Sequence, residues 1–326
     1  MGRGRFVLLV GICVTLLVAM IAPASAAPAT REIDNHDRGS VIAAFQSWLE
    51  PTQTVATGWT GSTESCQAGT ITAADRTATL SAVNYVRSMA ALPPVRLYTA
   101  FSRRAQAAAL IMAANQSLTH YPPKSADCYT TLGNDGARHG LLYLGWGASD
   151  GLEQSTGPRA VVGYMTDGGE GNQIVGHRRW LLYPQLTHIG TGDTNISNSL
   201  YVLDRYHEPS GSAWISWPTP GYFPRELEPD GRWSLSRAGA DFSRAKVRVL
   251  SPTGSVFVTK APVHTGYADN AVSWDMALPD DFAADEAADY PVVVTVSGIR
   301  LADGSVARRS WRTILVRASS APLGGS

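Results

Sequence analysis

Along this chain the spacing of apolar residues changes from a helical period to an alternating one near the middle. Leu80, Val83, Val86 and Ala90 fall at helical intervals, and the segment that opens at Thr72 must stop at Pro93-Pro94, so one helix is predicted there. Phe101, Ala105, Ala108 and Met112 repeat the pattern over Tyr98 to Ser117, with Thr99 placed to cap the first turn. Pro158, Ala160, Val161, Tyr164 and Met165 give a third, shorter helix that ends at Gly168-Gly169. Gly176 to Tyr183 gives a fourth, closed by Pro184. Leu118 to Gly147, rich in turn formers such as Pro122-Pro123 and Gly133-Asn134-Asp135-Gly136, is predicted as a loop. Leu186 to Gly192 and Leu200 to Arg205 are predicted as strands, with a turn over Asp193 to Asn198.

Beyond a boundary at Glu208-Pro209-Ser210-Gly211-Ser212 the pattern is that of short strands. Trp217 to Pro224 is too proline-rich for a helix or a central strand. Trp233 to Ser236, Lys246 to Leu250, Ser255 to Thr259, Ala271 to Met276, Tyr290 to Ser297 and Trp311 to Val316 then follow, separated by turn signals. The fold class predicted is α+β: helices over a small sheet in residues 70–206, then a β-sandwich-like domain over 212–318. Residues 27–69 read as a flexible lead-in able to pack one short amphipathic helix from Val41 to Leu49.

Hydrophobic residues make up 44% and charged ones 17% of the 326, which places the chain among folded globular proteins. The 27 basic and 27 acidic residues cancel, so charge gives no support to a nucleic-acid partner. Arg3 and Arg5, an apolar run from Phe6 to Ile21, and Ala24-Ser25-Ala26 form the pattern of a secretory signal over residues 1–26. The expected address is therefore extracellular, with no membrane-spanning segment once the signal is cleaved. Cys13 would leave with the signal, and the remaining pair, Cys66 and Cys128, is predicted to be bridged in an oxidising compartment.

Candidate chemistry lies in the first domain. The chain has no H-E-x-x-H, P-loop, dinucleotide fingerprint or C-x-x-C. What remains is His120 in Leu118-Thr119-His120-Tyr121, Asp167 at the end of the third helix, and His177 at the start of the fourth. Two imidazoles and a carboxylate suit a divalent metal such as zinc, and they equally suit proton transfer. His120 equally suits a structural role, hydrogen-bonded in its loop, and a carboxylate such as Asp167 is commonly a helix-end residue.

Asn84-Tyr85-Val86-Arg87, Ala105-Gln106-Ala107-Ala108, Leu118-Thr119-His120, Tyr164-Met165-Thr166-Asp167, Gly176-His177-Arg178-Arg179-Trp180 and Ile189-Gly190-Thr191-Gly192 resemble, in order and spacing, the CAP superfamily. That superfamily comprises the cysteine-rich secretory proteins, antigen 5 and the pathogenesis-related 1 proteins. The similarity covers about residues 70–206, and the secreted bacterial members, with their carboxy-terminal β-rich domain, look most similar. The resemblance implies an α-β-α sandwich whose central cleft is lined by two histidines and two acidic residues. His120 and His177 match the histidines, and Asp167 stands where a glutamate is usual. Where many members have Glu-Asn-Leu this chain reads Arg138-His139-Gly140-Leu141-Leu142, so one acidic position is empty. His139 beside it stands either as a substitute ligand or as a surface loop histidine.

CAP domains are regarded as non-catalytic binding modules, so the resemblance implies a secreted binding protein. Its cleft, with His120, His177, Asp167 and His139, would take a small hydrophobic ligand, a peptide, a protein partner, or a metal held by His120 and His177. Two other readings stand beside it: a hydrolase with His177 as general base, and a structural envelope protein in which Arg178 and Arg179 serve only in salt bridges.

Overall fold

Thr72 caps the second helix of the chain by accepting from the Asp75 amide at 3.1 Å, and Ala73–Met89 (α2) runs from it. In this computed structural model, which describes residues 1–2, 32–145, 157–203, 213–261, 263, 265–278 and 288–320, α2 is the beam on which the first half is assembled. The expected signal segment and the expected boundary at 208–212 lie outside the described residues, the first two positions apart. Arg87 of α2 is buried and donates to the carbonyls of Pro93, Leu181, Tyr183 and Leu186, which fixes the chain after α2 and the end of the fourth predicted helix together. Burial lowers the Arg87 guanidinium to about 10.

The lead-in is more ordered than its composition suggests. Arg38–Ala44 (α1), capped by Asp37, continues as a π-turn over Phe45–Leu49 and a 3-10 turn over Glu50–Thr54. Val41, Phe45 and Leu49, four residues apart, are buried, and Phe45 and Trp48 meet Tyr85 of α2 edge-on. That i, i+4 row is the physical reason the segment packs instead of trailing.

Thr99–Asn115 (α3) begins at the residue expected to cap it. Tyr98 holds the capping position without a side-chain bond, and Thr99 is the first helical residue. The stretch expected as a loop holds Thr131–His139 (α4) and Gly140–Leu144 (β2). Its glycines permit close approach here: a Cβ on Gly136 would lie 2.1 Å from the Arg104 carbonyl oxygen of α3. Gly157–Thr166 (α5) and Gly176–Leu181 (α6) are the predicted third and fourth helices.

Arg96–Leu97 (β1), His188–Asp193 (β3) and Ser197–Tyr201 (β4) join β2 in a sheet of order β1-β3-β4-β2, in which β1 runs parallel to β3 and the remaining pairs are antiparallel. Alternation builds three layers. Gly190 and Gly192 face α3, where a Cβ on Gly192 would meet the Gln106 amide nitrogen at 2.1 Å, and Tyr201 stacks on Phe101. Asn198, one step out of phase, reaches Tyr164 of α5 at 2.7 Å. Asp193 faces the α2 side, hydrogen-bonded to Asp75, and burial beside that second carboxyl raises its pKa well above the usual range. Cys66 and Cys128 are bridged, 62 residues apart.

In the second half, Ile215–Trp217 (β5), Gly221–Pro224 (β6), Arg232–Ser236 (β7), Lys246–Ser251 (β8), Gly254–Val258 (β9), Ala271–Asp275 (β10), Tyr290–Arg300 (β11) and Val306–Val316 (β12) form two sheets, of order β10-β7-β5 and β6-β12-β11-β8-β9. The proline-rich stretch supplies β6, at a sheet edge, where a missing ladder donor costs least. Trp217, Trp233 and Trp274 are fully buried, and Trp274 meets Trp311 of the other sheet at 6.2 Å between ring centroids. One buried core runs without interruption from Val83 and Leu181 to Trp233 and Val294.

Candidate functional site

Two short non-helical stretches and the N-terminus of α6 bring the candidate residues near one another. Asp167 ends α5 in the left-handed region (φ 52°), and Val175 enters α6 in the same region (φ 47°). Non-glycine residues adopt this conformation at a cost, so the turn between them is held by its surroundings. Asp167 is buried and both its carboxylate oxygens are engaged: Oδ1 accepts from His177 Nδ1 at 2.6 Å and Oδ2 from the Arg178 amide at 3.0 Å. The Asp167 carboxylate stands behind His177 and leaves Nε2 as that ring's free nitrogen.

His120 reaches the same arrangement by another route. Its Nδ1 donates to the Ala137 carbonyl at 2.7 Å, which again leaves Nε2 free. His120 and His177, together with Asn172, line both of two adjoining hollows of about 310 and 640 Å³. The smaller adds Arg138, Leu141, Ile174, Trp180 and Leu203. The larger runs along β2 and α5 past Leu118, Leu142, Tyr143 and Tyr164. Tyr164 lies against the His177 ring at 5.3 Å, and burial raises its phenol well above the ordinary value, so its hydroxyl stays protonated.

His139 is placed elsewhere. Its Nδ1 faces Asp135, 2.9 Å from the carbonyl and 3.1 Å from Oδ1, and its ring lies against Tyr201. The structure thus groups His120 and His177 at one opening, sets Asp167 behind His177, and holds His139 on the far part of α4. Among the described residues no three His, Cys, Asp or Glu side chains gather as a metal-holding group.

Arg178 and Arg179 turn away from the hollow. Arg178 is buried and donates to the carbonyls of Met165 and Thr166 on its own side, and to the Arg232 carbonyl and Ser234 hydroxyl of β7 on the other. Arg179 donates to the Asp269 carbonyl at 2.9 Å. Burial lowers both guanidinium groups to about 10. Arg232 returns the contact, donating to the carbonyls of Asp167 at 2.6 Å and Gly169 at 2.7 Å while paired with Asp275 at 2.7 Å. Under the structural-protein reading Arg178 and Arg179 would serve only in salt bridges; Arg178 donates instead to three backbone carbonyls and a hydroxyl, and Arg179 reaches the Asp269 carbonyl.

Sequence reasoning did not reach Tyr267, which comes from the β-rich half to line the smaller hollow. No local signal marks it. Arg138 was visible as a departure from the expected acid, and its guanidinium lies over the Tyr121 ring at 5.4 Å. Trp180 and Leu141 were visible only as apolar positions.

Residues 80–206 match the family model described as the cysteine-rich secretory protein family, CAP. No curated protein and no solved structure matches the chain.

Proposed function

Residues 80–206 belong to the cysteine-rich secretory protein (CAP) family, and from that premise we propose that the chain is a secreted, non-catalytic binding protein whose smaller hollow takes a small ligand with an apolar body and an anionic head. The observation that carries this reading is the chemistry of the lining. Leu141, Ile174, Trp180 and Leu203 supply an apolar wall, Arg138 supplies a guanidinium donor for the anionic head, and no carboxylate lines either hollow among the described residues. A volume of about 310 Å³ stands at the lower end of small-molecule sites, about 300–1,000 Å³. Export accords with the Cys66–Cys128 bridge.

The donor set fits a divalent metal poorly. Zinc sites take three or four protein ligands, whereas His120 and His177 offer two nitrogens, the Asp167 oxygens are both bonded behind His177, and Arg138 brings a positive charge to the same wall. The test compares naphthoic acid with its uncharged amide by calorimetry. The carboxylate should bind about tenfold more tightly, the scale of one charge-assisted hydrogen bond, and Arg138→Gln should erase the difference. Equal affinity for acid and amide in the unmodified chain would count against the anionic reading. Stoichiometric zinc, lost in a His120→Ala/His177→Ala variant, would restore the metal reading in its place.

A second reading has one observation in its favour. A buried carboxylate 2.6 Å from Nδ1 of a partly exposed histidine is the arrangement that orients a general base. Hydrolysis of an activated ester that disappears in His177→Ala would select it.

A further inference from the structure

The net charge of zero conceals an uneven distribution. In the five-stranded sheet, side chains that share one face can be read from the register. Val293, Thr295 and Ser297 of β11 are the outward set, since Val292, Val294 and Val296 are buried. Opposite them stand Leu250, Arg248 and Lys246 of β8, and Arg312 and Ser310 of β12. Arg308 and Val306 continue the same phase of β12, and Phe257 and Ser255 of β9 stand opposite Arg248 and Leu250. Two hydrogen bonds on that face confirm the phase: Thr295 with Ser310 at 2.9 Å and Arg248 with Ser255 at 2.7 Å.

The face therefore carries Lys246, Arg248, Arg308 and Arg312, all exposed, and none of the outward positions named is acidic. No salt bridge reaches any of the four among the described residues. Apolar groups stand among them in water: Phe257 is 71% exposed, Val306 71% and Leu250 47%. Cations alone would suit any polyanion. Cations interleaved with exposed aromatic and aliphatic side chains on an open sheet suit a surface that offers negative charge at one depth and hydrocarbon just below it.

We infer that this outer face of the β-rich half is a docking surface for an anionic lipid bilayer, with Lys246, Arg248, Arg308 and Arg312 against the headgroups and Phe257, Leu250 and Val306 at the acyl boundary. The inference concerns a different surface from the hollow and is independent of its ligand. Each basic residue near an anionic membrane contributes roughly a fivefold change in partition.

The test is co-sedimentation of the full chain with vesicles of phosphatidylcholine, with and without phosphatidylglycerol. Binding should require phosphatidylglycerol and weaken as salt is raised. Arg308→Gln/Arg312→Gln should lower partition about 25-fold, the product of two such charges. Phe257→Ser should lower it while leaving the circular dichroism spectrum and the naphthoate affinity unchanged. Absence of vesicle binding, or binding that ignores the two arginines, would overturn the inference. So would binding of soluble polyphosphate in preference to vesicles with Phe257→Ser without effect, which would identify a polyanion site instead.

Discussion

Asp269 shows how one side chain can set a pH dependence for the fold. It sits beside Arg179 at the seam between the two halves, and burial pushes its carboxyl up to about 6 despite the pull of that guanidinium. A free aspartate titrates near about 3.9. Between about 4 and 6, then, the folded chain holds a proton that the unfolded chain has released, and stability falls as pH rises through that window. Asp269→Asn should remove this part of the fall, so urea midpoints of variant and parent should differ more at neutral pH than at pH about 4. An identical slope in both would assign the fall to other groups. The histidines and Asp167 were legible as chemistry from residue type, yet not their division of labour. Asp167 is an orienting carboxylate because the left-handed turn at its own position places both oxygens against α6, and a turn conformation at a non-glycine residue leaves no mark in the sequence.

Among the elements, α2, α3 and α5 followed from apolar spacing and α6 from the proline that closes it, although α3 is buried on every side from Ala105 to Ala113. α4 did not, since its glycines look like turn formers until α3 is in place. Gly136→Ala should therefore destabilise the chain by about 1–3 kcal/mol, the scale of overpacking, because the Cβ would meet a backbone oxygen that cannot move aside. A denaturant midpoint unchanged by that substitution would show that α3 and α4 can separate freely. The strands of the second half were legible because alternation on β11, with buried Val292, Val294 and Val296, needs only a dry inner face. The partnering of β6 with β12, parallel and distant along the chain, was not.

For the whole molecule, the expected two-part organisation meets a seam with no solvent gap in its bonding. Arg178, Arg179 and Arg232 hold carbonyls across it, Ser273 donates to the Gln173 carbonyl, and the apolar core is continuous. The full chain should accordingly unfold in one calorimetric transition, and a chain ending at residue 203 should melt at lower temperature, Arg178 having lost the Arg232 carbonyl and the Ser234 hydroxyl. Two separate transitions would show that the halves are energetically independent. The sequence alone determined α2, α3, α5 and α6, the alternating strands of the second half, the CAP resemblance, the pairing of Cys66 with Cys128 and the identity of the two imidazoles, because period, cysteine count and residue type are local properties. Tertiary structure alone decided that Asp167 stands behind His177, that His139 lies apart, that Tyr267 closes the hollow from the other half, and that four cations share one sheet face. Each of those depends on which way a side chain points once distant strands have chosen their register, and spacing along the chain does not carry that information.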